Sequence, residues 1–204
     1  MNKNYQKQLK NTELLIQSLP WEDKAFYSNY LAQTYYFVCH STRLLARSIS
    51  HFGVERDSLY RRFVAHLKEE NYHERIAESD LLAMGMSPND FEELAITKAF
   101  WESQYYKIDQ TKGTSLLGYI LYLEAIPVHC FKGILKYFPE NANRFLKVHM
   151  EEDPKHLDHV LQVILELSVA EQDQIWDNYH QTAELYQQML LKLADISRLV
   201  VKAA

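Results

Sequence analysis

Glycine and proline are scarce in this chain, five of each in 204 residues, so there are few places where a helix is stopped cheaply. No stretch shows the period-two alternation of a half-buried strand. Cysteine occurs only as Cys39 and Cys130. That is too few for a disulfide framework and suits two buried thiols in a reducing compartment. No uninterrupted apolar run of about 18 residues offers a membrane span, and Met1 to Lys10 has no apolar signal core, so the expected location is the cytoplasm. Basic runs and basic stripes interleaved with aromatics are also missing, and the net charge is −5. Nucleic acid and anionic membrane are therefore poor partners. The expected partner is a small-molecule substrate, and a homodimer is left open.

What the chain does have is apolar bulk, 47% of residues with 13% aromatic, enough to fill one sizeable core. The pattern predicts an all-α, single-domain bundle of seven helices over residues 1–204. The first ends at Pro20. The second runs from about Trp21 to His51, and the third from about Asp57 to Met84 with Gly85 as its C-terminal cap. The fourth starts at Ser87-Pro88 and reaches about Ile108. The fifth follows Gly113, continues with a kink past Pro127 and closes at Tyr137-Phe138-Pro139. The sixth spans about Glu140 to Leu167, with Pro154 either kinking it or restarting it behind Asp153. Ser168-Val169-Ala170-Glu171 is a capping-box signature for the seventh, which ends near Val201.

Three of these helices place polar side chains on their apolar stripes. On a helical wheel Glu70 and His73 fall with Leu59, Phe63, Ala77 and Leu81. Glu124 lies among Leu117, Ile120, Leu121, Val128 and Phe131. His149, Asp153 and His156 are flanked by Phe145, Leu146, Val160 and Ile164. An inward carboxylate costs several kcal/mol unless paired or coordinated, and no inward Lys or Arg shares these stripes. A multivalent cation resolves that cost. Three carboxylates and three imidazoles suit iron or manganese better than a closed structural zinc site, and six donors can serve two ions.

Four segments, in order, carry a resemblance to a known family: Glu69-Glu70-Asn71-Tyr72-His73-Glu74, Asp80 to Gly85, Gly118 to Glu124, and His149 to His156. Over roughly Tyr30 to Ile164 the chain resembles the haem-oxygenase-like diiron oxidases and oxygenases. The resemblance implies a haem-oxygenase-like seven-helix bundle holding a non-haem dimetal site, two Fe ions with Mn as the alternative metal. It further implies dioxygen as co-substrate and oxidation of a small organic molecule. Known activities in the family include oxidative cleavage of fatty acids or amino acids and N-oxygenation. Carried over residue by residue, the ligand positions are Glu70, His73, Glu124, His149, Asp153 and His156. The chain departs from the pattern at His66, where some members place a ligating Glu seven residues before the motif histidine. His66 is read first as a hydrogen-bonding partner of the ligands, with direct ligation and altered metal preference as alternatives.

On the second helix His40 shares a mixed polar face with Gln33, Tyr36, Leu44 and Arg47, which suits a substrate pocket with Arg47 as the anion partner. No catalytic residue beyond the ligands is assigned. The tyrosines are read as core packing. Cys130 stands near the place where thiaminase-type enzymes of this fold carry a nucleophile, but its spacing from Pro127 does not fit that motif. Two further readings stay open: a haem-binding protein or haem oxygenase with His40 as axial ligand, and a non-catalytic helical protein.

Overall fold

The computed structural model describes residues 3–203. Among them are nine α-helices: α1 Lys3–Ser18, α2 Lys24–Val38, α3 Ser41–Ile49, α4 Asp57–Glu69, α5 His73–Ala83, α6 Ala95–Gln110, α7 Leu116–Cys130, α8 Arg144–Glu166 and α9 Val169–Ala203. No strand occurs among the described residues. Two of the seven expected helices are each divided in two, and the other five stand in the expected order.

The architecture is arranged around α7, whose residues from Leu116 to Cys130 are almost all buried. A helix that is apolar all round belongs in the middle of a bundle, and α7 packs against α1, α8 and α9. Gly118 allows the close approach of α9. A Cβ there would collide with the Ile175 carbonyl oxygen and come within 2.7 Å of the Tyr179 backbone nitrogen. Around α7 the other packed pairs include α2 with α5, α3 with α4, α6 with α9, and α5 with α8. Pro127 and Pro154 both sit inside continuous helices. Of the two alternatives at Pro154, restart is not the one taken.

The first break lies at Cys39-His40. The His40 N–H bonds back to Phe37 at 3.0 Å, an i to i−3 contact that tightens the turn and ends α2. The second break separates α4 from α5, where Tyr72 takes the left-handed conformation at φ 74°. For a residue with a Cβ that costs about 1–2 kcal/mol. Neither break contains the glycine or proline by which a sequence announces one.

The expected fourth helix starts late. Ser87 does form a capping box, accepting from the Asn89 N–H at 3.1 Å while Asp90 accepts from the Ser87 N–H at 2.7 Å. It opens only one 3-10 turn, Pro88–Asp90, and α6 begins at Ala95. The fully buried Gln33 of α2 accounts for the delay. Its amide nitrogen donates to Glu92 O at 3.0 Å, and its oxygen accepts from the Leu94 N–H at 3.0 Å and the Thr97 hydroxyl at 2.6 Å. This holds the 92–94 segment extended against α2. Likewise Glu140–Ala142 is a separate 3-10 turn ahead of α8. At the far end the predicted box does start α9, with Glu171 accepting from both the Ser168 N–H and its hydroxyl.

Candidate metal centre

Four helices deliver the inward polar residues to one place. His66 lies on α4, Glu70 caps its C-terminus, His73 opens α5, Glu124 lies on α7, and His149, Asp153 and His156 lie on α8. Asp80 helps to place α8: buried on α5, it accepts the Phe145 backbone N–H at 2.8 Å. That bond ties the first turn of α8 to the helix that begins with His73.

The donors sort into two trios, each able to bring one nitrogen or oxygen per residue to within 4.8 Å of the others. One is Glu70, His73 and His149; the other is His66, Glu124 and His156. In the first, His73 Nδ1 is 3.5 Å from Glu70 Oε2. In the second, Glu124 Oε1 is 3.5 Å from His66 Nε2 and Glu124 Oε2 is 3.4 Å from His156 Nδ1. Asp153 Oδ1 lies 3.8 Å from His156 Nδ1, and His66 Nε2 lies 3.9 Å from Glu70 Oε1, so the two trios adjoin.

These separations are long for hydrogen bonds, and His73 Nδ1, Glu124 Oε2 and His156 Nδ1 are buried without a hydrogen-bond partner in the protein. Donors arranged about an ion at roughly 2.1 Å each stand roughly 3.0–3.4 Å from one another at octahedral to tetrahedral angles. The observed spacing is close to that, and the donor chemistry of imidazole and carboxylate suits iron or manganese. His149 is also pre-oriented. Its Nδ1 lies 2.7 Å from Phe145 O, so Nδ1–H donates to that carbonyl and Nε2 keeps its lone pair for a ligand.

Electrostatics follow from burial and from the crowding of these groups. Burial pushes the Glu70 carboxyl up, but His73, His66 and His149 outweigh it and hold it at about 2. Burial lowers the imidazoles of His66 and His149 below the ordinary value, which keeps their lone pairs available. Asp153 moves the other way, well above the carboxylate range, through burial and the neighbouring Glu124 carboxylate. Without a cation this cluster holds more negative groups than it can keep ionised.

His66, Glu70, Glu124, His149 and Asp153 form part of the wall of a cavity of about 70 Å³. Leu44, Leu116, Ile120, Ile126 and Phe131 are among the apolar residues that line the rest of it. Of the face predicted for substrate on the second helix, Leu44 alone is part of this wall. His40 stacks on Trp101 with ring centroids 3.6 Å apart and lies 3.3 Å from the Tyr105 hydroxyl. Arg47 points outward, its guanidinium bonded twice to Asp109 at 2.8 and 3.0 Å. Tyr36 donates to backbone carbonyls of Pro88 and Phe91, and Gln33 is spent on the α6 entry. The break at Cys39-His40 turns α3, so a wheel drawn through both helices no longer describes one face. Cys130 also lies off the cavity wall, buried with its thiol pushed up to about 12 by burial.

His66 has a ring nitrogen within reach of the other donors of the second trio, a placement that fits the ligand alternative as well as the hydrogen-bonding one. The sequence signal was present, since His66 lies four residues before Glu70 on the same stripe. Asp80 and Tyr119 also belong to the neighbourhood. Asp80 was readable as one more inward carboxylate beside Leu81, whereas nothing in the sequence separates Tyr119 from its apolar neighbours on α7.

Comparisons with known proteins bear on the fold and the family. Residues 28–187 match the family model described as iron-containing redox enzyme. A domain of unknown function with a haem oxygenase-like fold from Shewanella denitrificans superposes with a TM-score of 0.84 at 19% identity, covering 99% of this chain and 95% of that one. A TenA homologue from Pyrococcus furiosus gives 0.67 at 13% identity over 93% and 98% of the two chains. Another TenA homologue, from Pseudomonas syringae, gives 0.69 at 15% identity over 92% and 91%. No curated protein matches the sequence. At these identities the solved structures establish the fold, and the sequence match adds the family. The matched residues contain both donor trios and the helices that carry them, so the chain belongs to the iron-containing redox enzymes and is built on the haem-oxygenase-like fold.

Proposed function

We propose that this protein is a non-haem dimetal oxidase or oxygenase, with two iron ions and dioxygen as co-substrate, acting on a small organic molecule. The observation that carries this reading is the pair of adjoining imidazole and carboxylate trios, four of whose six residues line an otherwise largely apolar cavity. Glu70, His73 and His149 would hold one ion. His66, Glu124 and His156 would hold the other, with Asp153 beside them. Manganese is compatible with the same donors. Bound iron would supply one-electron redox chemistry and a place for dioxygen to bind.

The chain's own contribution is placement and exclusion. Glu70, held ionised among three imidazoles, balances the charge of a cation. His149 offers Nε2 because Phe145 O fixes the proton on Nδ1. The apolar wall keeps bulk water from the reacting centre and strengthens electrostatic interactions there. The haem alternative gains no support from His40, which is packed against Trp101 away from the cavity.

Anaerobic loading with Fe(II), elemental analysis, and then exposure to dioxygen while following visible absorption tests the reading. The expected outcome is close to two ions per chain and a transient absorption band. Glu70→Ala and His156→Ala should each weaken binding, because loss of a ligand or its support lowers affinity at least 10- to 100-fold. Less than about one ion per wild-type chain, or unchanged binding in both variants, refutes it.

A further inference from the structure

Part of the second trio lies off the cavity wall: His66 and Glu124 line it and His156 does not. Glu124 and Asp153 meet His156 on its Nδ1 side, at 3.4 and 3.8 Å. The other ring nitrogen, Nε2, meets a carboxylate that belongs to neither trio. Glu69 Oε2 stands 3.7 Å from it. Glu69 is the last residue of α4 and is also absent from the cavity wall. About two turns earlier on the same helix is Arg62, whose side chain is only 10% exposed and whose Nη1 lies 3.6 Å from the same Glu69 oxygen. His66 Nδ1 comes within 3.8 Å of that oxygen as well. Arg62 Nη2 is nearer to that nitrogen, at 3.3 Å, so Glu69 has an unshared hold only on His156.

A neutral imidazole that gives one nitrogen to a metal ion carries its proton on the other, and that N–H needs an acceptor. His149 meets the condition through Phe145 O. For His156 the nitrogen turned toward Glu124 is Nδ1, buried and without a hydrogen-bond partner, which leaves Nε2 to carry the proton toward Glu69. A separation of 3.7 Å is beyond a hydrogen bond. The Glu69 side chain is 44% exposed, however, and has room to turn. A cation on Nδ1 draws charge from the ring and makes Nε2–H a stronger donor, which brings the carboxylate into range. Arg62 restrains the same carboxylate from its other side and keeps it at the end of α4.

We propose that Glu69 is a positioning residue of the second ion: it accepts the Nε2–H of His156 when Nδ1 is given to the metal, and so fixes the tautomer and the orientation of that ring. This rests on the dimetal reading.

The test uses the full-length chain with Zn(II) as a diamagnetic probe ion. It reads stepwise affinity by calorimetric titration and the His156 ring nitrogens by 15N NMR. In the loaded wild type His156 is expected to show a metal-bound Nδ1 and an Nε2–H sheltered from exchange with water. Glu69→Ala should weaken the second ion about 10- to 100-fold, the usual worth of an outer partner of a ligand. It should leave the first ion's affinity unchanged and open Nε2–H to exchange. Glu69→Gln, which keeps an oxygen acceptor, should recover part of both. Glu151→Ala, which removes an exposed carboxylate from α8, should alter neither. The proposal is overturned if Nε2 of His156 carries the metal, or if Glu69→Ala leaves either second-ion affinity or Nε2–H protection at the wild-type level. It is equally overturned if Glu69→Gln is no better than Glu69→Ala, which marks an effect of charge alone, or if the loss exceeds 100-fold, which marks Glu69 as a ligand. A wild type that binds no second Zn(II) sinks the dimetal reading and this proposal with it, whereas two bound ions with an indifferent Glu69→Ala sink this proposal alone.

Discussion

Removing the imidazole of His66 gives the most discriminating test of how the two trios work. His66 is 4% exposed, and its Nε2 lies 3.5 Å from Glu124 and 3.9 Å from Glu70. As a direct ligand it supplies one of the three donors of its trio. His66→Ala then leaves Glu124 and His156, with Asp153 nearby, as a reduced donor set. Loss of a supporting hydrogen bond alone weakens a metal about 10- to 100-fold, so loss of a ligand should exceed 100-fold, or about 2.7 kcal/mol. The trio of Glu70, His73 and His149 shares no residue with it and should keep its ion. Anaerobic Fe(II) titration should therefore show stoichiometry falling from two to one at moderate iron concentration. His66→Glu, which restores a carboxylate at this position, should recover the second ion in part. If His66→Ala still binds two ions with wild-type affinity, the assignment of His66 to the second trio is refuted. If it loses both ions together, the two trios are not independent sites and the argument from their geometry fails.

Three further outcomes follow from the packing. Gly118→Ala should destabilise the fold by about 2–3 kcal/mol, because its Cβ meets the backbone of α9 rather than a movable side chain; a thermal melt within error of wild type would contradict the packing described. Gln33→Ala leaves the Leu94 N–H and the Glu92 carbonyl without their partner and should cost about 2–4 kcal/mol, read by urea denaturation, with a loss under 1 kcal/mol counting against the role given to Gln33 at the α6 entry. His40, half-buried against Trp101 and beside the Arg43 charge, has its imidazole lowered from 6.5 to about 4. Between those values the unfolded chain binds the proton and the folded chain does not. Stability is thus full above pH 6.5 and is lost as pH falls toward 4, by about 1–2 kcal/mol once solvent screening of this half-exposed ring is allowed for. His40→Asn should flatten that part of the stability profile, and an unchanged slope would refute the assignment.

The donors themselves were legible because burial of a carboxylate violates the apolar period of a helix, and that violation is visible in one dimension. Glu124 among Leu117, Ile120 and Leu121 is the clearest case, and α7 is indeed buried on nearly every side. What the sequence did not carry was the direction of the chain at two points. Cys39-His40 and Asn71-Tyr72 contain neither glycine nor proline, so no local preference marks either break. Reading α2 and α3 as one helix put His40 and Arg47 on a face that the tight turn at Phe37 dismantles. Ser87 was read as a helix cap with Pro88 behind it, and it does cap a turn there, yet Gln33, distant in sequence, decided where α6 could begin.

The break at Tyr72 shows how far local periodicity reaches. In an unbroken helix His66 and His73 would share a face but stand about 10.5 Å apart along the axis, at 1.5 Å per residue. Glu70 would lie between them and no turn would be strained. The structure instead ends α4 at Glu69 and starts α5 at His73, accepting a left-handed tyrosine in between. Part of that strain is offset by the Arg75 guanidinium, which lies 4.5 Å from the Tyr72 ring centroid. The result is that His66 joins Glu124 and His156, whereas His73 joins Glu70 and His149. The wheel found the right residues while assuming a helix that does not exist there, because each half of the broken segment keeps its own inward stripe. Which donors fall in which trio is set by the turn between the halves, because it lets α5 pack on α2 and α8 while α4 stays against α3.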